Sequence, residues 1–459
     1  MLQDLIRLHS KYVGNLPRYT SYPTAVEFKA VENQVEAEQR YQAAIADLES
    51  FSLYIHLPFC PSLCYFCACN KVITQDTAEI DRYLEALTVE ADLLKAKLPL
   101  NAKILQVHLG GGSPSYLSCE QLERLQKIVT SLSSDMSSCQ YSVEIDPRTS
   151  TPQKLALLYQ QGYRRFSLGV QDFDSKVQEL VNRIQPYDLT AGVLKEIRRN
   201  SDTEVNFDLI YGLPGQTETG FKDTINKVIE LRPDRIALYG YAHVTWKVKV
   251  QNALTKYGLP EPLERIHFFA AAVELLEAAG YIYIGMDHFA LPQDELSLAL
   301  TSQTLRRNFM GYTTVHGQAL LGLGPSAISD LGSCLFQNAL SVENYKQHLE
   351  RQELPISRVI KRHSEDSVRA FMIESLMCHR ILTLAELQLE FPHYIGLESI
   401  FRAGQQELQR YALDRLVELE IDTIHVTSLG AFFMRQLVSV FDAYLKELDQ
   451  SEKRFSAAV

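Results

Sequence analysis

Strand-like and helix-like segments alternate along the chain from residue 52 onward, and this alternation limits the fold more than any other feature. Between the strands, apolar residues recur at helical spacing, as from Ile80 to Leu94, and Ser118 with Gln121 has the pattern of a capping box. Strands separated by helices build parallel βα units, and six units fall short of the eight in a full barrel. The sequence therefore predicts an α/β fold with a partial (β/α)6 barrel. The predicted strands are Ser52–Phe59, Lys103–Gly110, Gln140–Pro147, Arg164–Gln171, Glu204–Leu213 and Arg235–His243.

The flanking regions lack this alternation, so the chain is predicted to have three parts. Residues 1–50 form an N-terminal arm, residues 51–350 the partial barrel, and residues 351–459 a small, mainly helical C-terminal domain. The β-like segment Thr423–Thr427 would give that domain a winged-helix-like character. The helices predicted outside the barrel are Val31–Leu48, Ser364–Met377, Leu384–Phe391, Gln405–Leu419 and Ser428–Leu448.

Charge and cysteine content exclude several classes of protein. A formal net charge of −11 over 459 residues argues against a nucleic-acid surface, which needs a basic field. The sequence has no stretch of about 20 uncharged apolar residues for a membrane span, and its start lacks the apolar core of a signal peptide. Eight cysteines spread over this length do not make a secreted disulfide framework. We therefore expect a cytoplasmic protein that neither binds nucleic acid nor inserts into a membrane.

Three closely spaced cysteines indicate an iron–sulfur site. Cys60, Cys64 and Cys67 form the pattern C-x3-C-x2-C after the first predicted strand. Electron-transfer [4Fe–4S] clusters usually have four thiolate ligands, and structural zinc sites have four nitrogen or sulfur ligands. Three thiolates would leave one iron of a [4Fe–4S] cluster open to a small molecule. A zinc site or unreactive thiols are the alternatives.

This cysteine pattern resembles that of the radical S-adenosylmethionine (SAM) enzymes, in which the open iron binds SAM. Cys69, the segment Pro17–Thr24 and the segment Gly285–Phe289 extend the likeness. Together they resemble the oxygen-independent coproporphyrinogen III dehydrogenase (oxidase) family over nearly the whole chain. The resemblance implies oxidative decarboxylation of two propionates of coproporphyrinogen III to vinyl groups, giving protoporphyrinogen IX in haem biosynthesis. It also implies a reductant for the cluster and an electron acceptor. A barrel of this kind can function as a monomer, so we expect a monomer.

The same resemblance implies two SAM positions per site. Glu144 would accept hydrogen bonds from ribose hydroxyls of the cluster-bound SAM. Arg183 and Asp208 would pair with the carboxylate and ammonium of the second SAM, and a structural salt bridge is the alternative. The residues implied for the first SAM are Tyr54, Gly111, Glu144 and Ile328, and those for the second are Phe66, Gly112, Ser113, Gln171, Arg183, Asp208 and Ala242.

Four side chains are candidates for the chemistry on the substrate, namely Cys69, His56, Asp287 and His288. In the family pattern Cys69 does not bind iron, and either structural support or help in the reaction would explain it. A histidine at a strand end is often a structural residue, so that alternative also stays open. Because the protein is acidic, local cations must bind an anionic substrate. The basic residues that flank the motifs are Arg18, Lys71, Arg306 and Arg307.

Four positions depart from the family pattern. Met310 replaces a glutamine whose amide can hydrogen-bond in the second SAM site, and Gly240 replaces an asparagine. Ala68 replaces a glycine and Thr245 a proline. These changes affect the second SAM site and the fit of the substrate, and they leave the cluster ligands untouched.

Two other functions are compatible with the sequence. A haem-binding chaperone of the same superfamily would share the cluster and barrel, although that branch generally lacks equivalents of Cys69 and of Pro17–Thr24. A divergent radical SAM enzyme that methylates or cyclopropanates another substrate would share the second SAM position. Fold and cofactor alone do not fix the substrate.

Overall fold

A computed structural model describes residues 2–12, 14–133, 135–317, 319–446 and 457–458. The chain forms two compact units, each assembled from segments that are distant in sequence. Unit 1 comprises Met1–Val26, Leu209–Thr314 and His363–Val459, and unit 2 comprises Glu27–Asp208 and Val315–Arg362. The division into arm, barrel and C-terminal domain stays a prediction.

The strands of the described residues are numbered in chain order. They are β1 (Gly14–Asn15), β2 (Lys29–Ala30), β3 (Ser50–Leu57), β4 (Phe59–Cys60), β5 (Val72–Ile73), β6 (Lys103–Gly111), β7 (Gln140–Ile145), β8 (Tyr163–Gln171), β9 (Glu204–Tyr211), β10 (Arg235–Gly240), β11 (Ile282–Gly285), β12 (His288–Ala290), β13 (Arg306–Asn308), β14 (Gly311–Thr313), β15 (Ala319–Leu323), β16 (Ile328–Asp330), β17 (Cys334–Asn338), β18 (Ile356–Lys361), β19 (Ile381–Thr383), β20 (Val417–Leu419), β21 (Thr423–Val426) and β22 (Ala457–Ala458).

The α-helices follow the same numbering. They are α1 (Leu2–Tyr12), α2 (Gln34–Ile45), α3 (Thr77–Lys95), α4 (Cys119–Ser131), α5 (Pro152–Gln160), α6 (Ser175–Leu180), α7 (Tyr187–Ile197), α8 (Glu218–Leu231), α9 (Asn252–Thr255), α10 (Pro262–Ala278), α11 (Glu295–Thr301), α12 (Val342–Glu350), α13 (Ser364–His379), α14 (Leu384–Glu390), α15 (Leu397–Ala412), α16 (Met434–Val438) and α17 (Ala443–Lys446). Among the described residues, no helix combines the length and the apolar character that a bilayer span requires.

Unit 2 is built around a run of parallel strands. Strand β3 pairs in parallel with β6, β6 with β7, and β7 with β8, while β15 pairs in parallel with the other side of β3. The antiparallel strands β16, β17, β18 and β2 continue the sheet beyond β15. Because helices cover parallel strands, β3 is buried almost throughout. The carboxyl ends of these parallel strands lie at one edge, where the loops that follow them meet.

All six predicted strands are present, as β3 and β6 to β10, and the α/β prediction is confirmed. Strand β9 ends before the predicted Leu213 because Gly212 takes a φ of +86°. The predicted helical stretch after Ile80 is α3, whose apolar face is buried. The predicted capping box at Ser118 is also present, since Ser118 Oγ accepts from Gln121 N and Gln121 Oε1 accepts from Ser118 N. Helix α2 lies within the predicted segment Val31–Leu48.

Two helix predictions in the C-terminal part need correction. The segment predicted as one helix from Gln405 to Leu419 ends as helix α15 at Ala412, because Arg415 takes a positive φ of 60°. Its remainder forms β20, which pairs with β21 beside β19. The segment Ser428–Leu448 is divided into short helices, because extended Asp442 accepts from Tyr444 N and Leu445 N and starts a new helix. Residues 447 and 448 of that prediction lie outside the described residues.

A buried carboxylate in unit 2 supplies a stability test. Glu90 of α3 accepts hydrogen bonds from Gly324 N at 2.8 Å, Asn338 Nδ2 at 2.6 Å and Tyr345 Oη at 2.6 Å. Burial nevertheless raises the pKa of Glu90 to about 7. Between the ordinary carboxyl pKa and about pH 7, Glu90 therefore keeps its proton in the folded protein and has lost it in the unfolded chain. The stability linked to this proton is full below the ordinary carboxyl pKa, and it is lost as the pH rises through about 7.

Between pH 5 and pH 8 we therefore expect the free energy of unfolding to fall less in Glu90→Gln than in the wild type. The difference should be on the order of 2 kcal/mol. Urea unfolding of both proteins at a series of pH values measures this difference. Glu85→Gln, at an exposed position of the same helix, is the control and should leave the wild-type profile unchanged. A Glu90→Gln profile parallel to that of the wild type would contradict the expectation.

Candidate active site

The cysteine loop of unit 2 follows strand β3 and is fixed to neighbouring backbone. Val72 N donates to Pro58 O at 2.7 Å, which closes the loop at its base. Tyr65 N donates to Val181 O at 3.0 Å, and Asn182 Nδ2 donates to Leu63 O at 2.7 Å. The loop that carries Cys60, Cys64 and Cys67 is therefore held at the carboxyl edge of the parallel strands, where chemistry in such folds usually takes place.

Hydrogen-bond donors are directed at two of the three predicted ligands. Arg148 Nη2 and Arg183 Nη1 each donate to Cys64 Sγ at 3.7 Å. A hydrogen bond from the Cys69 thiol, together with Lys71, lowers the pKa of Cys67 to about 6. Burial raises the pKa of Cys60 to about 11, and Ser113 Oγ lies 3.6 Å from its sulfur. Because metal ligands must be thiolates, the donors at Cys64 and Cys67 suit these two sulfurs to metal binding, whereas Cys60 would lose its proton when a metal binds.

The donor set fits an iron–sulfur cluster. All eight cysteines are free thiols. Within the described part of the chain, no three His, Cys, Asp or Glu side chains converge closely enough to hold one metal ion. Cys60, Cys64 and Cys67 supply three thiol groups from one loop, and thiolates are the ligands that iron–sulfur clusters use. The N–H groups directed at Cys64 are of the kind that tunes such clusters.

Residues 110–113, at the end of strand β6, form a turn that lies against the same loop and is called the glycine turn below. Gly111 takes a φ of +110°, and a Cβ there would stand 2.5 Å from the His56 ring. A Cβ on Gly112 would stand 2.7 Å from Phe59 O and 2.8 Å from Leu57 O. Gly112 N donates to Leu57 O at 2.8 Å, and Ser113 N donates to Phe59 O at 2.9 Å. Only glycine allows this close approach of two backbones.

A hydrogen-bonded network connects the strand ends beneath the turn. The Tyr54 hydroxyl lies 3.0 Å from His56 Nδ1, and His56 Nε2 lies 2.8 Å from Asn70 O. Since a carbonyl only accepts, Nε2 carries the proton and Nδ1 accepts from Tyr54. Burial lowers the pKa of His56, so the ring is neutral. Both ring nitrogens are thus engaged, and the predicted catalytic role of His56 stays a prediction.

His108 belongs to this network although the sequence reasoning missed it. Its ring stacks on Tyr54 at 5.9 Å between centroids, and its Nε2 lies 3.5 Å from Glu144 Oε1. Gly111 N donates to Glu144 Oε2 at 2.9 Å. Burial would raise the pKa of Glu144, but the bonds from His108 and Gly111 lower it. His108 stands two residues before Gly110 on β6, so the strand alternation could have placed both on one face.

Asp146 is a second site residue that the sequence reasoning missed, and it binds two arginines. Its carboxylate binds Arg148 Nη2 at 2.7 Å and Arg183 Nη1 at 3.2 Å. Burial alone would raise the pKa of Asp146, but the two guanidinium groups lower it. Asp146 therefore places both arginines at Cys64. Its position at the end of strand β7, followed by Arg148, was the available signal.

The predicted pair Arg183 and Asp208 has separate partners in unit 2. Arg183 binds Asp146 and donates through Nη2 to Gly169 O at 2.7 Å. Its buried Nε has no hydrogen-bond partner among the described residues. Asp208 accepts from Ser167 Oγ at 2.8 Å and Asn206 Nδ2 at 3.0 Å, and burial raises its pKa to about 6. Their contacts with a second SAM stay a prediction.

The other predicted SAM residues fall in both units. Phe66 and Ser113 lie in the cysteine loop and glycine turn, Gln171 ends β8 with a φ of +69°, and Ile328 begins β16. These four lie in unit 2, whereas Ala242 follows β10 in unit 1.

Cys69, a predicted catalytic residue, is hydrogen-bonded to a predicted cluster ligand. Its thiol donates to Cys67, and this bond raises the pKa of Cys69 well above its usual value.

Asp287 and His288 lie in unit 1 on a tight hairpin. Met286 and Asp287 connect β11 to β12, and both have positive φ, 40° and 74°. A two-residue loop with two positive φ values is usually made by Asn-Gly, so this backbone is strained, as active-site backbones often are. Arg18 Nη2 binds Asp287 Oδ2 at 2.5 Å. Burial, and next Arg307, lower the pKa of His288 to about 4, so its ring is neutral.

Comparisons with known proteins agree with this geometry. Residues 54–228 match the family model of the radical SAM superfamily. The oxygen-independent coproporphyrinogen III oxidase of Pseudomonas aeruginosa is 40% identical over 459 residues, covering 99% of this chain and 98% of its own. The Escherichia coli enzyme of the same name is 38% identical, covering 96% of both chains. The solved structure of E. coli coproporphyrinogen III oxidase, described as a radical SAM enzyme, superposes with a TM-score of 0.88 at 36% identity, covering 93% of this chain and 97% of that one.

Proposed function

The chain belongs to the oxygen-independent coproporphyrinogen III oxidase family of radical SAM enzymes, and from this membership we propose its reaction. It is an enzyme of haem biosynthesis that converts two propionates of coproporphyrinogen III to vinyl groups, giving protoporphyrinogen IX. The observation that carries this conclusion is 40% identity over 99% of the chain. The cysteine loop with two arginine N–H groups directed at Cys64 supports it.

The cofactors supply the radical chemistry and the protein supplies orientation. When bound, the [4Fe–4S] cluster would supply one electron to SAM, and SAM would supply the 5′-deoxyadenosyl radical chemistry that removes a hydrogen atom from the propionate β-carbon. The propionate then loses CO2 and gives one electron to an acceptor, which leaves a vinyl group. Two propionates consume two SAM and two reducing electrons. They release two methionines, two 5′-deoxyadenosines and two CO2, and they pass two electrons to the acceptor.

We propose that the network beneath the glycine turn holds the cluster-bound SAM. Glu144 is ionised, and each of its oxygens keeps a lone pair beyond the bonds to Gly111 and His108. Those lone pairs are suited to ribose hydroxyls. The neutral His56 fixes Tyr54 and the Asn70 carbonyl, which makes it a positioning residue in this proposal.

We also propose a second SAM beside the first. Arg183 supports this proposal, because its buried Nε has no partner within the described part of the chain. A methionine carboxylate would use such a donor. The number of SAM molecules bound per chain, measured by equilibrium dialysis of the reconstituted protein, separates one site from two. We further propose that the protein is a monomer. We also propose a reducing, cytoplasmic compartment, which is consistent with eight free cysteines.

The test of the reaction is an anaerobic assay of the cluster-reconstituted, reduced protein with SAM and coproporphyrinogen III. Protoporphyrinogen IX and 5′-deoxyadenosine are measured together, and one 5′-deoxyadenosine is expected per vinyl group. Formation of 5′-deoxyadenosine without a vinyl product would support the proposed radical chemistry and contradict coproporphyrinogen III as the substrate. Tight haem binding with neither product would indicate a haem carrier.

A further inference from the structure

Four basic residues flank the sequence motifs, and three of them are already engaged in the folded protein. Lys71 Nζ donates to Cys67 O at 2.9 Å, and Arg18 binds Asp287 at 2.5 Å. Arg306 Nη1 lies 3.6 Å from Glu374 Oε2. Arg307 differs, because its Nε and Nη1 are buried and have no hydrogen-bond partner among the residues that the structure describes. A buried donor without a partner in a native protein calls for a ligand or an ordered water.

The hairpin of β13 and β14 in unit 1 holds the Arg307 guanidinium against an aromatic ring. Arg307 lies directly opposite Tyr312 in the antiparallel register, and its guanidinium carbon sits 4.7 Å from the centre of that ring. Its backbone N–H donates to Glu374 Oε1 at 3.4 Å. Stacking on Tyr312 fixes the plane of the guanidinium, so its donors have a defined direction.

A row of aromatic rings extends from Arg307 to a second guanidinium group. The Tyr312 ring meets His288 edge to face at 5.4 Å, and His288 meets Tyr239 in the same way at 5.9 Å. Arg18 stands over the Tyr239 ring at 5.2 Å. Two guanidinium groups thus flank a row of three uncharged rings, and only that of Arg18 has a carboxylate bound to it at 2.5 Å. A planar fork beside uncharged rings is suited to a carboxylate on an apolar body.

We propose that Arg307 binds a propionate carboxylate of the tetrapyrrole substrate. This inference rests on the proposed function, which supplies a substrate with four such groups. The formal charge of −11 gives no long-range attraction to that anion, so a local, preorganised cation has to bind it. Arg307 acts as a specificity residue, because a substrate without the carboxylate leaves its donors unpaired.

Substitution of Arg307 by lysine tests this proposal, with Arg306→Lys as the matched control on the neighbouring residue of the same strand. Lysine keeps the charge and loses the fork. We expect Arg307→Lys to raise the KM for coproporphyrinogen III by about tenfold or more, with the KM for SAM unchanged. Fluorescence titration with coproporphyrin III should show a similar loss of affinity. Arg306→Lys should stay within about twofold of the wild type in both measurements.

The probe itself can be varied to isolate the carboxylate. Coproporphyrin III tetramethyl ester has the same ring system without the acids, and it should bind wild type and Arg307→Lys equally. Equal affinity of the two proteins for the free acid would overturn the proposal. If the wild type converts coproporphyrinogen III and Arg307→Lys does so with unchanged KM, the proposed role of Arg307 is wrong and the proposed function is supported. If the wild type binds coproporphyrin III through Arg307 and converts nothing, the function is wrong and the subsite stands.

A folding defect would be detected by thermal unfolding of both variants. In that case Arg307 is probed in the unmodified protein with phenylglyoxal, an arginine-selective dicarbonyl, followed by peptide mass analysis. Coproporphyrin III should protect Arg307 and leave the modification of Arg306 unchanged. Equal modification of Arg307 with and without coproporphyrin III would also reject the proposal.

Discussion

Replacing Cys64 with alanine is expected to abolish cluster binding and, with it, all conversion of coproporphyrinogen III. Cys64 is the sulfur on which Arg148 and Arg183 converge, each at 3.7 Å. Two remaining thiolates cannot hold a [4Fe–4S] cluster in a defined position, and the N–H groups directed at the Cys64 sulfur lose their acceptor. Iron and sulfide content, the visible absorbance after reconstitution and 5′-deoxyadenosine formation should all fall to background.

The control for this variant is Cys119→Ala, which removes a thiol at the start of helix α4. It should reconstitute and turn over as the wild type does. The fold of Cys64→Ala should survive, because Asp146 still binds both arginines at 2.7 and 3.2 Å. Thermal unfolding of the two apoproteins checks this point. A Cys64→Ala protein that retains iron and cleaves SAM would refute the assignment of Cys64 as a ligand.

Gly112→Ala, in the glycine turn that we propose to hold SAM, is expected to be strongly damaging. The added Cβ would stand 2.7 Å from both Phe59 O and the Pro58 carbonyl carbon, and 2.8 Å from Leu57 O. All three are backbone atoms, so the cysteine loop and the glycine turn must separate. A displacement of about 1 Å at a reacting centre costs about 100-fold in rate. We therefore expect kcat/KM for SAM to fall by about 100-fold and the unfolding temperature to fall as well.

Gly192→Ala provides the comparison, since a Cβ there meets nothing within 4 Å. It lies inside helix α7, where alanine is a better helix former than glycine, so its stability should equal or exceed that of the wild type. Both variants are measured by thermal unfolding and by SAM cleavage under the same conditions. A Gly112→Ala enzyme with the wild-type KM for SAM would show that the turn tolerates a side chain.

Local patterns were sufficient for the βα array and failed where strand pairing overrides a helix-like sequence. Each predicted strand is a short apolar segment between turn residues, and helix α3 shows its buried face in its own spacing. The segment Val417–Leu419 was predicted to be helical because it follows residues with helical spacing in the predicted helix Gln405–Leu419. It became a strand because Thr423–Val426 offers it hydrogen bonds after a turn. Tertiary pairing overrides a weak local propensity.

The polar network at the site was visible only in part. Glu144 and Arg183 were predicted from motif positions, whereas Asp146, Arg148 and His108 were missed. Their partners stand far away in sequence, as with Arg148 and Cys64, which are 84 residues apart. No spacing rule marks such a contact, because it depends on two loops arriving at the same edge of the sheet.

The sequence by itself determined the type of fold and the position of the cysteine loop and glycine turn, because spacing along the chain fixes which local backbone can form. Only the tertiary structure decided the charge state and the pairing of the site residues. It placed two arginines at Cys64, kept His288 neutral between Arg18 and Arg307, and left two donors of Arg307 without a partner among the described residues. These properties depend on burial and on distances between groups remote in sequence, which composition and spacing do not contain.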